Sequence, residues 1–287
     1  MAFRVDASVI IGTGHVMRCL SLANILRECG TKSYFICRAH PGHMAEKIKA
    51  EGYDVILLPL ARIQGIEGNA SDNYASWLGA SLLKDASETI QHLKENNPVW
   101  LVVDHFALNS IWEMRVKEVI DLNIMVIDGL ANRKHECDLL LDQTYSLKGE
   151  DRWKNLVPKK CKLLVGPKYA LLRAEFIEAQ RHLRQRDGKV KRIFIAFGGV
   201  DELNATSITL DALIELNKKD ISVDVVIGIT NPNRKNLIEK YHKIDYINIF
   251  LDPNNIADLM AAADLAIGAC GTMMWERCLL TLPTLII

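Results

Sequence analysis

Short apolar and β-branched runs alternate along the chain with longer segments whose apolar residues recur every three or four positions. The short runs, bounded by Gly, Pro, Asp or Asn, are typical of buried strands, and the longer segments are typical of helices. The alternation predicts βαβ units and a parallel sheet. The strands predicted in the N-terminal part cover residues 33–37, 55–58, 100–103, 124–127 and 139–141.

Two helices are predicted between these strands, over residues 15–29 and 112–122. Gly30 lies just past the first, where glycine is favoured because it readily adopts the left-handed conformation that ends a helix. The apolar face of this first helix consists of Val16, Cys19, Leu20, Ala23 and Leu26.

A polar, basic segment at 175–192 interrupts the pattern and is predicted to be a linker. It divides the chain into an N-terminal Rossmann-like domain, 1–174, and a C-terminal one, 193–287. After it, strands are predicted at 193–197, 223–227, 247–251 and 265–269, and residues 281–287 read as the start of a further buried strand. We therefore expect two doubly wound α/β domains facing a central cleft, the second of them truncated.

Composition limits the possible functions. A chain of 287 residues usually forms more than one domain, and its 35 basic and 35 acidic residues supply no basic field for nucleic acid or membrane lipids. No signal peptide or membrane-spanning run is recognisable, so a soluble, cytoplasmic protein is expected. The seven cysteines contain no C-x-x-C pair, which indicates neither a disulfide framework nor a metal site.

The most informative single feature is a histidine that directly follows two glycines at a predicted strand-to-helix turn, Gly12-Thr-Gly14-His15. Glycines let a ligand approach the backbone, and the N-terminus of a helix attracts anions. The same helix end disfavours an imidazolium, so His15 is expected to be neutral, as a general base must be. The structural alternative is a histidine that merely caps a glycine turn.

Glycine turns recur at Gly198-Gly199 and Gly271-Thr272. In parallel sheets such turns lie at the carboxyl ends of strands, where ligands bind. No turn matches G-x-G-x-x-G or the phosphate loop G-x-x-x-x-G-K-[ST], so neither a nicotinamide enzyme nor a P-loop NTPase is supported. Three turns together favour a diphosphate ligand, although each alone is compatible with ordinary helix–sheet packing.

Several carboxylates occupy positions near these turns. Glu276 lies one turn into the last predicted helix, where it could accept hydrogen bonds from two ribose hydroxyls or simply interact with the helix dipole. Asp104, Asp6 and Asp128 each lie at the end of an apolar run. For these three, capping or another structural role is the alternative to a catalytic one.

Six segments, in this order, resemble the PseG family: FRVDAS (3–8), IGTGHVMRCL (11–20), VDHFAL (103–108), GPKYALLRAEF (166–176), FGGVD (197–201) and GTMMWERC (271–278). That family comprises UDP-sugar hydrolases of pseudaminic acid synthesis, related to SpsG-type polysaccharide proteins. It is similar in fold to the MurG glycosyltransferases, which have the GT-B architecture. The resemblance spans essentially the whole chain.

The resemblance implies that water displaces UDP from UDP-2,4-diacetamido-2,4,6-trideoxy-β-L-altropyranose with inversion, in a monomeric enzyme without metal or cofactor. His15 matches the family's catalytic histidine and Glu276 its ribose-binding glutamate. Substrate contacts are assigned to Asp6, Gly12, Gly14, Arg18, Asp104, His105 and Phe106. UDP contacts are assigned to Gly198, Gly199, Phe250, Gly271, Thr272, Met273 and Glu276.

The chain departs from the family in a few places. Phe106 stands where many members have tyrosine, and Cys270 and Met273 occupy a turn that usually carries small residues and a hydroxyl. Family members also continue beyond the last residues of this chain. Two other functions therefore stay open: a MurG-like transferase that passes the sugar to an acceptor, and a non-catalytic protein that binds a nucleotide sugar.

Overall fold

The structure is a computed structural model and describes residues 1–61, 74–228 and 230–287. These residues form two compact units. The first contains residues 1–11 and 15–171, and the second contains residues 12–14 and 172–287. Each unit is built on one parallel β-sheet, as the alternating pattern predicts.

The sheet of the first unit has seven strands. Its five predicted strands are confirmed to within one residue at each end, and two further strands lie before and after them. The strands are β1 (Ala2–Val5), β2 (Tyr34–Arg38), β3 (Asp54–Leu58), β4 (Trp100–Asp104), β5 (Asn123–Ile127), β6 (Leu139–Asp142) and β7 (Lys162–Val165). Their order across the sheet is β3-β2-β1-β4-β5-β6-β7.

The described residues of this part of the chain form the α-helices α1 (Gly14–Glu28), α2 (Ala45–Ala50), α3 (Leu82–Asn96) and α4 (Ser110–Lys117). Short 3₁₀ helices cover Ala75–Leu78, Gly149–Trp153 and Pro167–Tyr169. Gly30 follows α1 with a φ of 83°, which confirms its predicted role at the end of this helix. The helix predicted at 112–122 is shorter than expected and ends at Lys117.

Alternate residues of the strands pack on opposite faces of this sheet, so the first unit has two cores. Phe3 and Val5 of β1 face α1 and contact the cluster that contains Leu20. Ala2, on the other face of the same strand, belongs to the cluster around Trp112 of α4. This alternation also separates the polar residues at the strand ends into two groups.

The second unit has a five-stranded sheet with the order β10-β9-β8-β11-β12. Its strands are β8 (Arg192–Ala196), β9 (Ser222–Ile227), β10 (Ile247–Leu251), β11 (Leu265–Gly268) and β12 (Thr284–Ile286). Its helices are α5 (Ala174–Arg181), α6 (Ala205–Glu215), α7 (Arg234–Tyr241), α8 (Ile256–Ala262) and α9 (Met273–Leu279). The four strands predicted before the last one are confirmed.

Two segments of the second unit differ from expectation. The segment 175–192, predicted as a linker, is helical in its first part, and Phe176 of α5 is fully buried in the core with Phe194. The packing of Phe176 stabilises this short helix, and the prediction missed it because the segment as a whole is polar. The last strand, predicted to be buried, lies at the sheet edge with Leu285 and Ile286 about half exposed.

Each sheet has a point at which the order of strands reverses. In the first unit β1 lies between β2 and β4, and Val5 pairs with Asp104 at the carboxyl ends of β1 and β4. In the second unit β8 lies between β9 and β11, and the two glycine turns 198–199 and 271–272 follow β8 and β11. Open α/β sheets bind their ligands at such points.

Candidate functional site

At the reversal point of the first sheet, His15 meets Asp104. His15 is the second residue of α1, and Asp104 is the last residue of β4. The distance from His15 Nδ1 to Asp104 Oδ1 is 2.6 Å. Asp104 is fully buried and His15 is 8% exposed, so the pair forms a largely desolvated hydrogen bond.

Arg18 binds the same carboxylate from the next turn of α1. Its Nε donates to Asp104 Oδ2 and its Nη2 donates to Asp104 Oδ1, both at 2.5 Å. Burial alone would raise the pKa of Asp104, but the charge of Arg18 and the contact with His15 more than offset this and lower the pKa below its usual range. Asp104 is therefore ionised at neutral pH.

Three half-buried aromatic rings stand beside the imidazole. The edge-on ring of Phe106 lies 4.7 Å from the ring of His15, and that of Trp77 lies 6.3 Å away. Tyr74 contacts both Trp77 and Phe106. Sequence reasoning missed Tyr74 and Trp77, because isolated aromatic residues outside any predicted element give no signal of a site.

Asp6 and His105, both predicted to contact substrate, lie on the opposite face of the sheet from Asp104. Both are buried, and Asp6 Oδ2 lies 3.2 Å from His105 Nε2. Asp6 Oδ1 accepts hydrogen bonds from Arg4 and from the backbone N–H of Arg38, each at 2.6 Å. In the structure the two side chains contact one another and neighbouring strands, and Asp6 is fully buried while His105 is 3% exposed, so substrate contact by these residues stays a prediction.

The same buried network extends to α3. Asp85 accepts hydrogen bonds from Arg4, Arg38 and the indole N–H of Trp112. Burial would raise the pKa of Asp85, but the Arg4 guanidinium holds it below its ordinary value. A buried carboxylate with charged partners of this kind is a structural element that costs several kcal/mol to break.

Asp128 is also buried and pairs with another buried side chain, His135. His135 is buried between two carboxylates, with Nδ1 2.7 Å from Glu113 Oε1 and Nε2 3.2 Å from Asp128 Oδ2. Burial alone would lower the pKa of His135, but the hydrogen bonds to Asp128 and Glu113 raise it to about 9. His135 is therefore charged at neutral pH and completes a buried ion triad.

At several glycines of the second unit, the backbone conformation or the available space disfavours a side chain. Gly12 and Gly198 have φ values of 79° and 86°, a left-handed region that other residues avoid. A Cβ on Gly14 would lie 2.7 Å from Thr272 Oγ1. By contrast, a Cβ on Gly271 would have no neighbour within 4 Å, so this turn leaves open space.

Glu276, the predicted ribose ligand, is held by a residue that sequence reasoning missed. Arg173 Nε donates to Glu276 Oε1 at 2.7 Å, and its Nη2 donates to Oε2 at 3.0 Å. Glu276 is 3% exposed. The predicted UDP contacts Phe250 and Met273 both pack in part against the core of this unit. Arg173 lies within one of the family-like segments, which is the signal that could have singled it out.

Within the described ranges 1–61, 74–228 and 230–287, no helix is both long and apolar enough to cross a membrane. In the same ranges, no group of three or more His, Cys, Asp or Glu residues is arranged to hold a metal ion.

Comparison with known proteins relates the chain to one family of unknown function and to two curated proteins. A family described as "Protein of unknown function (DUF354)" matches residues 200–287. An uncharacterized protein of Methanocaldococcus jannaschii is 26% identical over 292 aligned residues, covering 100% of this chain and 55% of that protein. UDP-2,4-diacetamido-2,4,6-trideoxy-β-L-altropyranose hydrolase of Campylobacter jejuni is 29% identical over 279 residues, 97% of this chain and 87% of the hydrolase.

The chain resembles the UDP-sugar hydrolases of the PseG family. Its span is about half the length of the Methanocaldococcus relative and most of the length of the PseG hydrolase. Among solved structures, MurG of Acinetobacter baumannii aligns with 100% of this chain and 77% of its own, with a TM-score of 0.56 and 14% identity. The predicted GT-B class, with two parallel-sheet α/β domains, is thereby confirmed.

Proposed function

We propose that the chain hydrolyses a UDP-linked 2,4-diacetamido-2,4,6-trideoxy sugar to the free sugar and UDP, as a cytoplasmic, metal-independent step of pseudaminic acid synthesis. The observation that carries the proposal is the hydrogen bond between His15 and Asp104 at the reversal point of the first sheet. The 29% identity to the Campylobacter hydrolase supports this choice of substrate.

In the proposed reaction a water oxygen attacks the anomeric carbon while His15 takes a proton from that water. The bond between the anomeric carbon and the phosphate oxygen breaks, and UDP leaves with the bonding electron pair. A single displacement of this kind inverts the anomeric centre. Because UDP leaves as a stable anion, the reaction needs no counterpart of the acid carboxylate that most glycosidases use.

The nucleotide is assigned to the second unit. Backbone N–H groups at the turns 198–199 and 271–273 would donate to the diphosphate, since Gly198 and Gly271 carry no side chain and leave open space beside the backbone. Glu276 would accept hydrogen bonds from the ribose hydroxyls. Glu276→Ala should then weaken UDP binding about tenfold or more. An unchanged dissociation constant by calorimetry would assign Glu276 a purely structural role.

Proton NMR of the 287-residue chain with the UDP-sugar tests the reaction itself. We expect UDP and free sugar of inverted anomeric configuration to accumulate without any added acceptor. A transferase would release almost no free sugar until an acceptor hydroxyl was supplied. Binding of the UDP-sugar without turnover would favour the non-catalytic alternative and contradict the proposal.

A further inference from the structure

The surroundings of Asp104 differ from those of a substrate-binding residue. Its carboxylate has no exposed surface. Oδ1 accepts from His15 Nδ1 at 2.6 Å and from Arg18 Nη2 at 2.5 Å, and Oδ2 accepts from Arg18 Nε at 2.5 Å and from Cys19 Sγ at 3.5 Å. A carboxylate has about four acceptor positions, and protein donors occupy all of them. A sugar hydroxyl would find none left.

The same contacts determine which nitrogen of His15 can act as a base. An ionised carboxylate only accepts hydrogen bonds, so the contact of 2.6 Å with Asp104 places a hydrogen on His15 Nδ1. Arg18 Nη2 also lies 3.1 Å from this Nδ1, but it donates to Asp104 Oδ1 at the shorter distance of 2.5 Å. In the neutral imidazole the lone pair is then on Nε2. The half-buried ring of Phe106 packs edge-on against this imidazole at 4.7 Å and limits its rotation.

Arg18 fixes the carboxylate in turn. Two parallel N–H donors from one guanidinium define the plane of a carboxylate, which a single point charge would not do. Arg18 and His15 are three residues apart on α1, so the helix sets their spacing. Arg18 thus offsets the buried charge of Asp104 and leaves one orientation for the hydrogen bond to His15.

We infer that Asp104, clamped by Arg18, is a positioning residue that keeps the hydrogen of His15 on Nδ1 and leaves Nε2 as the proton acceptor. The consequence for rate rests on the proposed hydrolysis, whereas the position of the hydrogen does not. When Nε2 takes a proton in the transition state, Asp104 faces the imidazolium that forms. An interaction of this kind affects kcat and leaves substrate binding unchanged.

Kinetics separate positioning from substrate binding. For Asp104→Asn we expect kcat to fall about 100-fold or more, since an amide allows the wrong tautomer, while KM stays within about threefold of the wild type. A substrate contact would raise KM instead. A change of less than about threefold in kcat, or a loss that resides in KM, overturns the inference.

Asp142→Asn is the matched control. Asp142 is also the last residue of its strand, is also fully buried, and pairs with an arginine, Arg152, at 3.1 Å. The indole N–H of Trp153 also donates to Asp142 Oδ2, at 2.9 Å. We expect Asp142→Asn to lose about as much stability as Asp104→Asn but to keep the kcat of the wild type. Equal loss of kcat in both variants would assign Asp104 a merely structural role.

Long-range proton–nitrogen NMR of the wild-type chain tests the tautomer without substrate and without a variant of Asp104. The spectrum of His15, assigned by its loss in His15→Asn, should show the hydrogen on Nδ1 in the neutral state. A hydrogen on Nε2 overturns the inference even if hydrolysis is observed. A hydrogen on Nδ1 together with absent hydrolysis supports the inference and contradicts the proposed function alone.

Discussion

Arg173 forms a two-point ion pair with Glu276, a residue 103 positions later in the chain, with N–O distances of 2.7 and 3.0 Å. The guanidinium of Arg173 also lies over the ring of Phe176, 4.6 Å from its centroid. The pair therefore ties the segment before α5 to α9. It also means that the carboxylate assigned to ribose already has a protein partner.

Removal of Arg173 alone should destabilise the protein. In Arg173→Met the buried carboxylate of Glu276 loses its charged partner, and we expect the free energy of unfolding to fall by about 1–3 kcal/mol. In the double variant Arg173→Met, Glu276→Met both charges are gone, and at least half of that loss should be recovered. Urea unfolding of the two variants measures the difference.

Arg181→Met is the control for this pair. Arg181 forms an exposed salt bridge with Glu178, which is worth little in water, and the variant should unfold within about 0.5 kcal/mol of the wild type. If the double variant of Arg173 and Glu276 is less stable than Arg173→Met alone, packing and not charge pairing explains the contact.

His15→Ala should remove catalysis and leave nucleotide binding intact. A general base acts in the transition state and usually contributes 10²–10⁴-fold, so we expect a loss of about that size in UDP release. The dissociation constant for UDP by calorimetry should be unchanged. His92→Ala, which alters a histidine on the solvent side of α3, is the control. More than about a tenth of the wild-type rate in His15→Ala would contradict the assignment.

The raised pKa of His135 should make the stability of the protein depend on pH. Its pKa is about 9 in the folded protein and near 6.5 in an unfolded chain, so the folded state binds its proton more tightly. The resulting stabilisation, of up to roughly 3 kcal/mol, is fully present below pH about 6.5. It is lost progressively as the pH rises through about 9.

Urea unfolding of the wild type and of His135→Gln over this pH range isolates that contribution. Glutamine cannot be protonated, so the difference in stability between the two proteins should shrink as the pH rises from about 6.5 to about 9.5. Parallel curves would show that the proton on His135 contributes nothing to stability.

Phe106→Tyr tests the clearest departure from the family. The ring packs against His15, and a hydroxyl on it would add a hydrogen-bond donor near the place proposed for the sugar. We expect kcat/KM to rise by up to about tenfold with the UDP-sugar. Phe106→Leu, which removes the ring without adding a donor, should lower it. A lower kcat/KM in Phe106→Tyr would show that a polar group next to the His15 ring is unfavourable.

Most strands were predictable because each combines a short apolar run with clear boundaries. The strand β7 was missed because four residues, one of them lysine, form too short a run. The helix α5 was missed because half of its eight residues are polar or charged, and its apolar residues besides the buried Phe176 are only Ala174, Ile177 and Ala179. In both cases tertiary packing stabilises an element whose local sequence is a weak signal.

The site was predictable in part. The turn that carries His15 is evident from its glycines, but the roles of Asp104 and Asp6 depend on which face of the sheet each side chain occupies. Two consecutive polar residues, Asp104 and His105, point to opposite faces, one toward α1 and the other into the buried arginine network. Arg173 was missed because its partner is remote in sequence.

The pairing of Val5 with Asp104 has a consequence for how this part of the chain can change. A side chain reverses its face with every step along a strand, so inserting or deleting one residue within β4 would move Asp104 and His105 each to the opposite face of the sheet. The carboxylate would then lie on the side of the buried Arg4 and Arg38, and His15 would lose its hydrogen-bond partner. A change in the length of β4 would therefore separate His15 from Asp104 even where every side chain of the strand is kept.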